Sequence, residues 1–490
     1  MSAEGSGTAV RDRGEGGVFA APYLPVTVAI LTTIALAAFD ALAIVAALPA
    51  IGADLGSVGL LPWVITGFLV TSTIAVVVAG PIIDAFGVRS TFRVTLVGFV
   101  AASALCAAAP TMPLLVAGRV VQGFGGGLVV AVCFAAVGVA YPGRLTAKAF
   151  ATESAVWGLA GFGGPAVASV LVAVWGWPSV FLLNVPLGLV AAVFGWRAFP
   201  GRVEGARALR LDARGVVLLS AFVVVSLVGV GTIGVWTLPA LAVGAALAAA
   251  YWWHAGRVED PVLARRHVVG VGYLRYNAMA FVAMAAGLGA DSYLPLYLRG
   301  ARGTSESFAA FSVLWLSVGW TLGSFATSWF LDRAGERRLL WGGTALLLGA
   351  LVGGAVLVAA EVPIPFVLAA FLLIGLGVGT VTSAVLTQVQ RSSDAGEIGR
   401  ANAAHQFFRN LGITFGVALG GAALLFVVGG RVDDLDAVRE LLAGDEGGAV
   451  DPATAEAVAA GFVAALTVCA VVLAVGAAAT VAAVRRRAAR

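Results

Sequence analysis

One lysine, three histidines, three cysteines and four methionines are all that 490 residues hold of those types, and charged residues make up only 11%. A soluble globular chain carries about a quarter charged residues, so this composition excludes one. The single lysine, Lys148, stands in GRLTAKAF and not in a Gly-rich phosphate loop, so no ATP site is expected. His254, His267 and His405 are scattered, with no HExxH, CxxC or GxSxG pattern, which argues against a metal centre, a cofactor or a membrane hydrolase. Cys106, Cys133 and Cys469 fall in apolar stretches, where small packing groups are expected rather than disulfides. The formal charge of +4 comes with no basic patch interleaved with aromatics, so nucleic acid is not an expected partner.

What the chain has instead is hydrophobic residues at 60% of positions. Runs long enough to span a bilayer recur at about 24–50, 61–82, 94–110, 114–140, 149–174, 180–199, 214–232, 235–253, 276–298, 308–331, 339–360, 364–389, 401–429 and 454–484. This predicts an all-α polytopic membrane protein of fourteen transmembrane helices, with the lipid bilayer as its solvent. Positive charge collects in cytoplasmic loops. With the N-terminus inside, only Arg299, Arg302, Arg431 and Arg439 fall on the outer side and only Arg119 and Arg409 within helices, leaving 24 of the 30 basic residues inside. Both termini are therefore expected to be cytoplasmic. The polar, Gly-rich residues 1–22 form a tail, and the apolar run after them is too long for a signal-peptide core and is expected to be retained. Arg431 to Asp451 is the one long outer loop; its charge of about −5 suits either a solvated loop with a short helix at LDAVRELL or a collector of cations.

Arg119, in LVAGRVVQGFGGG (115–127), is a cation inside an apolar helix. A central arginine opposes insertion by roughly 2.5–3.5 kcal/mol, so it is expected to face a partner or a water-filled cavity. Gln122 and Gly123 follow on its own face and supply an amide and room for a close backbone. The alternative is an arginine near the helix end that snorkels to the headgroups.

Several stretches resemble the drug:proton antiporters of the major facilitator superfamily, in its fourteen-helix branch. FDALAIVAALPAIGADL (39–55) is similar to LDxTIVNVALPxI, PWVITGFLV (62–70) to WxxTxYxL, and LVAGRVVQGFGGG to the RxxQG helix. GPIIDAFGVR (80–89) matches GxLxDRxGRR at Gly80, Asp84, Gly87 and Arg89, with Ala85 and Val88 where arginines are usual. GLAGFGGPAVAS (158–169) resembles GxxxGPxxGG up to Gly164 and Pro165, with Ala168 and Ser169 in place of the paired glycines. WPSVFLLNVPLG (177–188) resembles WRWIFxINVPxG, and EIGRANAAHQFFRNLGITFG (397–416) a late stretch of the same branch. LDRAGERR (331–338) looks like a second copy of the loop motif.

The resemblance implies two six-helix bundles, at 23–199 and 276–490, related by a pseudo-two-fold axis, with two extra helices in a linker at 200–275 and an outer loop at 430–453. Under that symmetry the first helix corresponds to the ninth. Asp40 and Asp291 each lie about sixteen residues into theirs, or ~24 Å at 1.5 Å per residue. An ionised carboxylate in hydrocarbon is expensive, so these two are expected to hold a proton or a cationic substrate, with a structural cap as the alternative for each. Phe39, beside Asp40, offers an aromatic face to lipophilic cations. Arg409, with His405 one turn before it, completes a buried network or snorkels inward. Gly158, Gly161 and Gly164 are expected to form a seam against Gly319 and Gly323, with Pro165 as the bending point. The function implied is a monomeric plasma-membrane carrier exporting hydrophobic small molecules, cationic ones among the candidates, in exchange for protons. A proton-coupled importer of another small molecule and a transport-dead sensor are the alternatives.

Overall fold

The computed structural model describes residues 16–57, 60–201, 210–231, 237–270, 272–394, 397–431 and 452–488. Most of the N-terminal tail, and the acidic outer loop beyond Arg431, lie outside the described residues. Among the described residues every regular element is a helix. They are α1 (Leu24–Leu55), α2 (Leu61–Ala107), α3 (Met112–Ala140), α4 (Gly143–Trp175), α5 (Pro178–Leu182), α6 (Asn184–Ala198), α7 (Ala213–Gly231), α8 (Thr237–Ala255) and α9 (Arg265–Val269). There follow α10 (Tyr273–Asp291), α11 (Leu294–Gly300), α12 (Glu306–Ser312), α13 (Leu314–Ala334), α14 (Glu336–Ala359), α15 (Ile364–Arg391), α16 (Ile398–Gly429) and α17 (Pro452–Ala488).

Among the described residues eleven helical stretches are long and apolar enough to cross a membrane, some of them joining two of these helices, and twelve if the bent pair 143–161 and 163–175 is one span. The multipass membrane architecture is therefore plain, while this count stops short of fourteen for two visible reasons. Residues 63–107 count as one stretch where two spans are expected, because two helices join directly at a kink, and the apolar part of α7, Ala213–Ser226, is short. The stretch is 45 residues long, or ~68 Å of helical rise at 1.5 Å per residue, about twice a ~30 Å hydrocarbon core. It is interrupted at Gly87, whose φ of 80° and ψ of 160° belong to glycine alone. Gly335, in the second copy of the loop motif, takes nearly the same conformation, with φ 80° and ψ 152°.

The helices divide into two compact units, the first of Met1–Val156, Gly164–Arg210 and Gln390–Asn402, the second of Trp157–Gly163, Leu211–Val389 and Ala403–Arg490. In the first, Phe39, Ile44, Ile51, Val64, Met112 and Phe181 belong to one buried apolar cluster. In the second, Phe371, Phe462 and Tyr297 stack in sequence, with centroids 6.2 and 4.9 Å apart. Also in the second unit, Asp212 caps α7 by accepting from Gly215 N at 2.9 Å and meets His254 Nε2, at the end of α8, at 2.7 Å, which pins the two ends together.

The helix α4 bends by 43° between Gly161 and Gly163. Pro165 cannot donate to the carbonyl four residues back, that of Gly161, and the bend sits where that bond is missing. The glycine seam differs from expectation. Gly158 and Gly161 face Thr321, Ser317 and Leu314 of α13, and Gly164 faces Leu42 of α1. Gly319 and Gly323 look the other way: a β-carbon on either would collide with the carbonyl of Leu372 or Leu376 in α15. The spacing of four marks a close helix crossing, but the partner is the neighbouring helix α15 rather than the glycines of α4. Gly323→Leu is thus expected to cut the monodisperse yield of purified protein sharply, since backbone and not a movable side chain blocks the space. Gly164→Leu, which meets only Leu42 Cβ at 3.7 Å, is expected to retain it; equal yields from the two variants would contradict this packing.

Candidate functional site: a buried ion pair in the first unit

Glycines bring the site together. A β-carbon on Gly123 or Gly127 of α3 would strike the carbonyls of Phe68 and Ser72 in α2, so α3 lies directly against the α2 backbone there. That approach carries Arg119 and Gln122, one turn apart, into the interior. From α1, Asp40 meets them midway along its 32-residue helix.

Arg119 Nη1 donates to Asp40 Oδ2 and to Gln122 Oε1, each at 2.7 Å, and its Nε donates to Val64 O at 3.0 Å. Gln122 Nε2 donates to Asp40 Oδ1 at 2.8 Å and to Ser103 Oγ at 2.6 Å. Asn184, the first residue of α6, donates from Nδ2 to the same Asp40 Oδ1 at 2.9 Å and to Ser103 Oγ at 3.0 Å. The Cys106 thiol points to Gln122 Oε1 at 3.5 Å. Phe68 lies under the guanidinium, 4.2 Å from its ring centroid, and Phe181 stands at 5.6 Å.

Both side chains of the ion pair are 1% exposed. Arg119 does not snorkel, and Asp40 is no helix cap. Their burial is expensive in itself, and removing one partner of such a pair typically costs about 3–5 kcal/mol because the other is left uncompensated. The carboxylate on α1 is thus held directly from α3 and α6, and α2 joins through Val64 O and Ser103 Oγ.

The expected residues divide on this geometry. Asp40, Arg119 and Gln122 come together. Phe39 is buried in the apolar cluster beside them. Asp291 belongs to the second unit, where it ends α10; it is 7% exposed, and among the described residues its Oδ1 has no hydrogen-bond partner. Arg409, half-buried in α16, lies 5.2 Å from the Trp320 ring centroid and donates to Gln406 Oε1 at 3.2 Å. His405 is fully buried one turn before it. Asn184 and Ser103 are not among the expected residues, and Cys106, expected as a small packing group, is buried with its thiol turned to Gln122 Oε1. Asn184 does lie in WPSVFLLNVPLG, three residues after Phe181 and so on the same face, which was the one available signal.

The loop motif builds a second polar point in the first unit. Asp84 accepts from Gly399 N at 3.0 Å and Arg400 N at 3.3 Å, the leading amides of α16, and Arg400 Nε stands 3.9 Å away. A carboxylate there satisfies orphan donors and complements the helix dipole. The Gly80 carbonyl flanks the same spot, because a β-carbon on Gly399 would lie 2.9 Å from it. Arg89 Nε donates to Phe199 O at 2.7 Å, tying the motif to the end of α6. Asp84→Ala is expected to lower the thermal midpoint of the purified protein, by a loss of about 0.5–2 kcal/mol typical of a removed cap. An unchanged midpoint would show the contact to be idle.

The described residues thus form an all-helical, multipass membrane fold with a charge pair enclosed in the apolar interior of its first unit. The model of the Major Facilitator Superfamily matches residues 28–417, and the chain belongs to that family. It is 27% identical over 396 residues to multidrug transporter protein MdtP of Bacillus subtilis, covering 79% of this chain and 72% of that one. It is 28% identical over 426 residues to a probable multidrug-efflux transporter of Mycobacterium tuberculosis, covering 84% and 89%. The fold is similar to that of the proton:xylose symporter XylE, with a TM-score of 0.59 at 15% identity, over 91% of this chain and 94% of that one.

Proposed function

We propose that this transporter exports hydrophobic small molecules, cationic ones included, across the plasma membrane in exchange for protons, and that Asp40 carries the coupling proton. The observation that carries the reading is the Asp40–Arg119 pair, enclosed in the apolar interior of the first unit and surrounded by groups that can re-pair. The multidrug names of the relatives support the substrate class. Gln122 positions the pair, and Asp291 is a second carboxyl for proton or substrate. Phe39 and Arg409 belong to the same proposal as substrate and gating contacts. Gly80, Asp84, Gly87 and Arg89 serve as a gating loop, with Gly164 and Pro165 at the bend of α4. The architecture proposed with it is a monomer of fourteen crossings: bundles at 23–199 and 276–490, a two-helix linker at 200–275, and both termini cytoplasmic.

The test is proton movement in proteoliposomes with a panel of lipophilic cations and neutral drugs. Antiport requires proton flow opposite to the substrate. Flow in the same direction would identify a symporter, and absence of flux with every compound would favour a sensor.

A further inference from the structure

Asn184 brings an unpartnered buried acceptor into the Asp40 network. Its side chain is fully buried, its Nδ2 donates twice, and among the described residues its Oδ1 has no hydrogen-bond partner. Buried acceptors are nearly always satisfied, so an idle one beside an ion pair asks for a reason.

The reason lies in what Asp40 needs when it takes a proton, and the inference rests on the reading that it does. In the ionised carboxylate Oδ1 accepts from Gln122 Nε2 and Asn184 Nδ2. A proton placed on Oδ1 turns it into an O–H donor facing two N–H donors, so one amide must turn its oxygen inward. Gln122 cannot do so freely. Its Oε1 already accepts from Arg119 and Cys106, and a flip would aim an NH2 group at the guanidinium. Asn184 can. We infer that the Asn184 amide is the proton-linked switch of the site: it donates to ionised Asp40 and, after a flip about its terminal torsion, accepts from protonated Asp40.

The two orientations are closely balanced. Before the flip Oδ1 is idle, and after it Nδ2 occupies that place and is idle instead. Ser103 follows without loss, since its hydroxyl rotates from accepting Asn184 Nδ2 to donating to Asn184 Oδ1. The other titratable groups facing Asp40 are Arg119 from α3 and Cys106 from α2; α5 and α6 contribute Phe181 and Asn184. Arg119 keeps its bonds to Val64 O and Gln122 throughout, so the guanidinium that loses its counterion when Asp40 takes the proton stays anchored by backbone and amide. Asn184 is thus a positioning residue for the proton.

The experiment is infrared difference spectroscopy of the full-length protein in liposomes as the pH is lowered. A carboxylic-acid C=O band absent from Asp40→Asn identifies protonated Asp40. In Asn184→Leu, similar in size but without an acceptor, that band is expected to move to higher frequency as the O–H loses its partner. In Asn184→Ser, whose hydroxyl both donates and accepts, the band is expected to stay near its wild-type position and coupled transport to survive. An Asp40 band unmoved by Asn184→Leu would overturn the switch while leaving Asp40 as the proton site. If Asn184→Leu does not fold, an Asn184→Ser band shifted as far as that of a free acid would overturn it equally. The absence of any Asp40-dependent band would remove the coupling proposal itself, and the switch with it.

Discussion

Substrate-driven proton movement by Asp40→Asn is expected to fall to the level of protein-free liposomes, with the protein still folded. Asparagine matches aspartate in size, and its Oδ1 can still accept from Arg119, so packing around α1 is retained. What disappears is the charge that compensates a guanidinium 1% exposed, so the loss in stability is bounded by the ~3–5 kcal/mol for breaking a buried pair. Most domains carry about 5–15 kcal/mol, which leaves a folded protein to assay. An amide cannot take up and release a proton near neutral pH, and on the proposed reading Asp291 does not replace Asp40 as carrier of the coupling proton, since none of the groups hydrogen-bonded to Asp40 is a second carboxyl. Gel filtration with proteoliposome flux checks both halves of the expectation. Wild-type flux from the asparagine variant would remove Asp40 from the coupling mechanism.

Arg119→Lys is expected to be nearly as damaging although the charge is kept. The arginine acts through three separate contacts: Nε on Val64 O, Nη1 shared between Asp40 and Gln122, and its planar face on Phe68. An ammonium is a point charge with no fork and no face, so lysine can follow Asp40 only by leaving Val64 O or Gln122 unpaired. Loss of one charge-assisted bond is worth about 1.5–3 kcal/mol, and each 1.36 kcal/mol on a rate-limiting barrier is a factor of ten. Transport at or below about a tenth of wild type is the expected result. Full activity would reduce Arg119 to a generic cation and exclude any role for its shape.

The parts of this molecule visible in its sequence are those where charge meets hydrocarbon. Asp40, Arg119 and Gln122 could be found because a charge in an apolar run has to be explained. Asn184 and Ser103 carry no such penalty, and nothing in a neutral Asn at the start of a helix says that it will reach a carboxylate 144 positions away. The crossing helices were legible from length and apolarity, their breaks less so. The run expected at 276–298 ends its first helix at Asp291 and restarts at Leu294, where Pro295 sits in the first turn. Between the expected spans 61–82 and 94–110 the backbone stays helical and only Gly87 departs. The glycine pair 319 and 323 announced a close crossing without naming the other helix, since a missing side chain fits any backbone that comes near.

Cys106, Cys133 and Cys469 are all buried and all free. Thiol-reactive labels applied to the folded wild-type chain should therefore find almost nothing to modify, and a cysteine introduced at an exposed turn such as Thr111 would report alone. The customary cysteine-free background is then unnecessary for following motion by fluorescence or spin labelling. It is also unwise here, because replacing Cys106 would remove the thiol that points at Gln122 and alter the very network under observation.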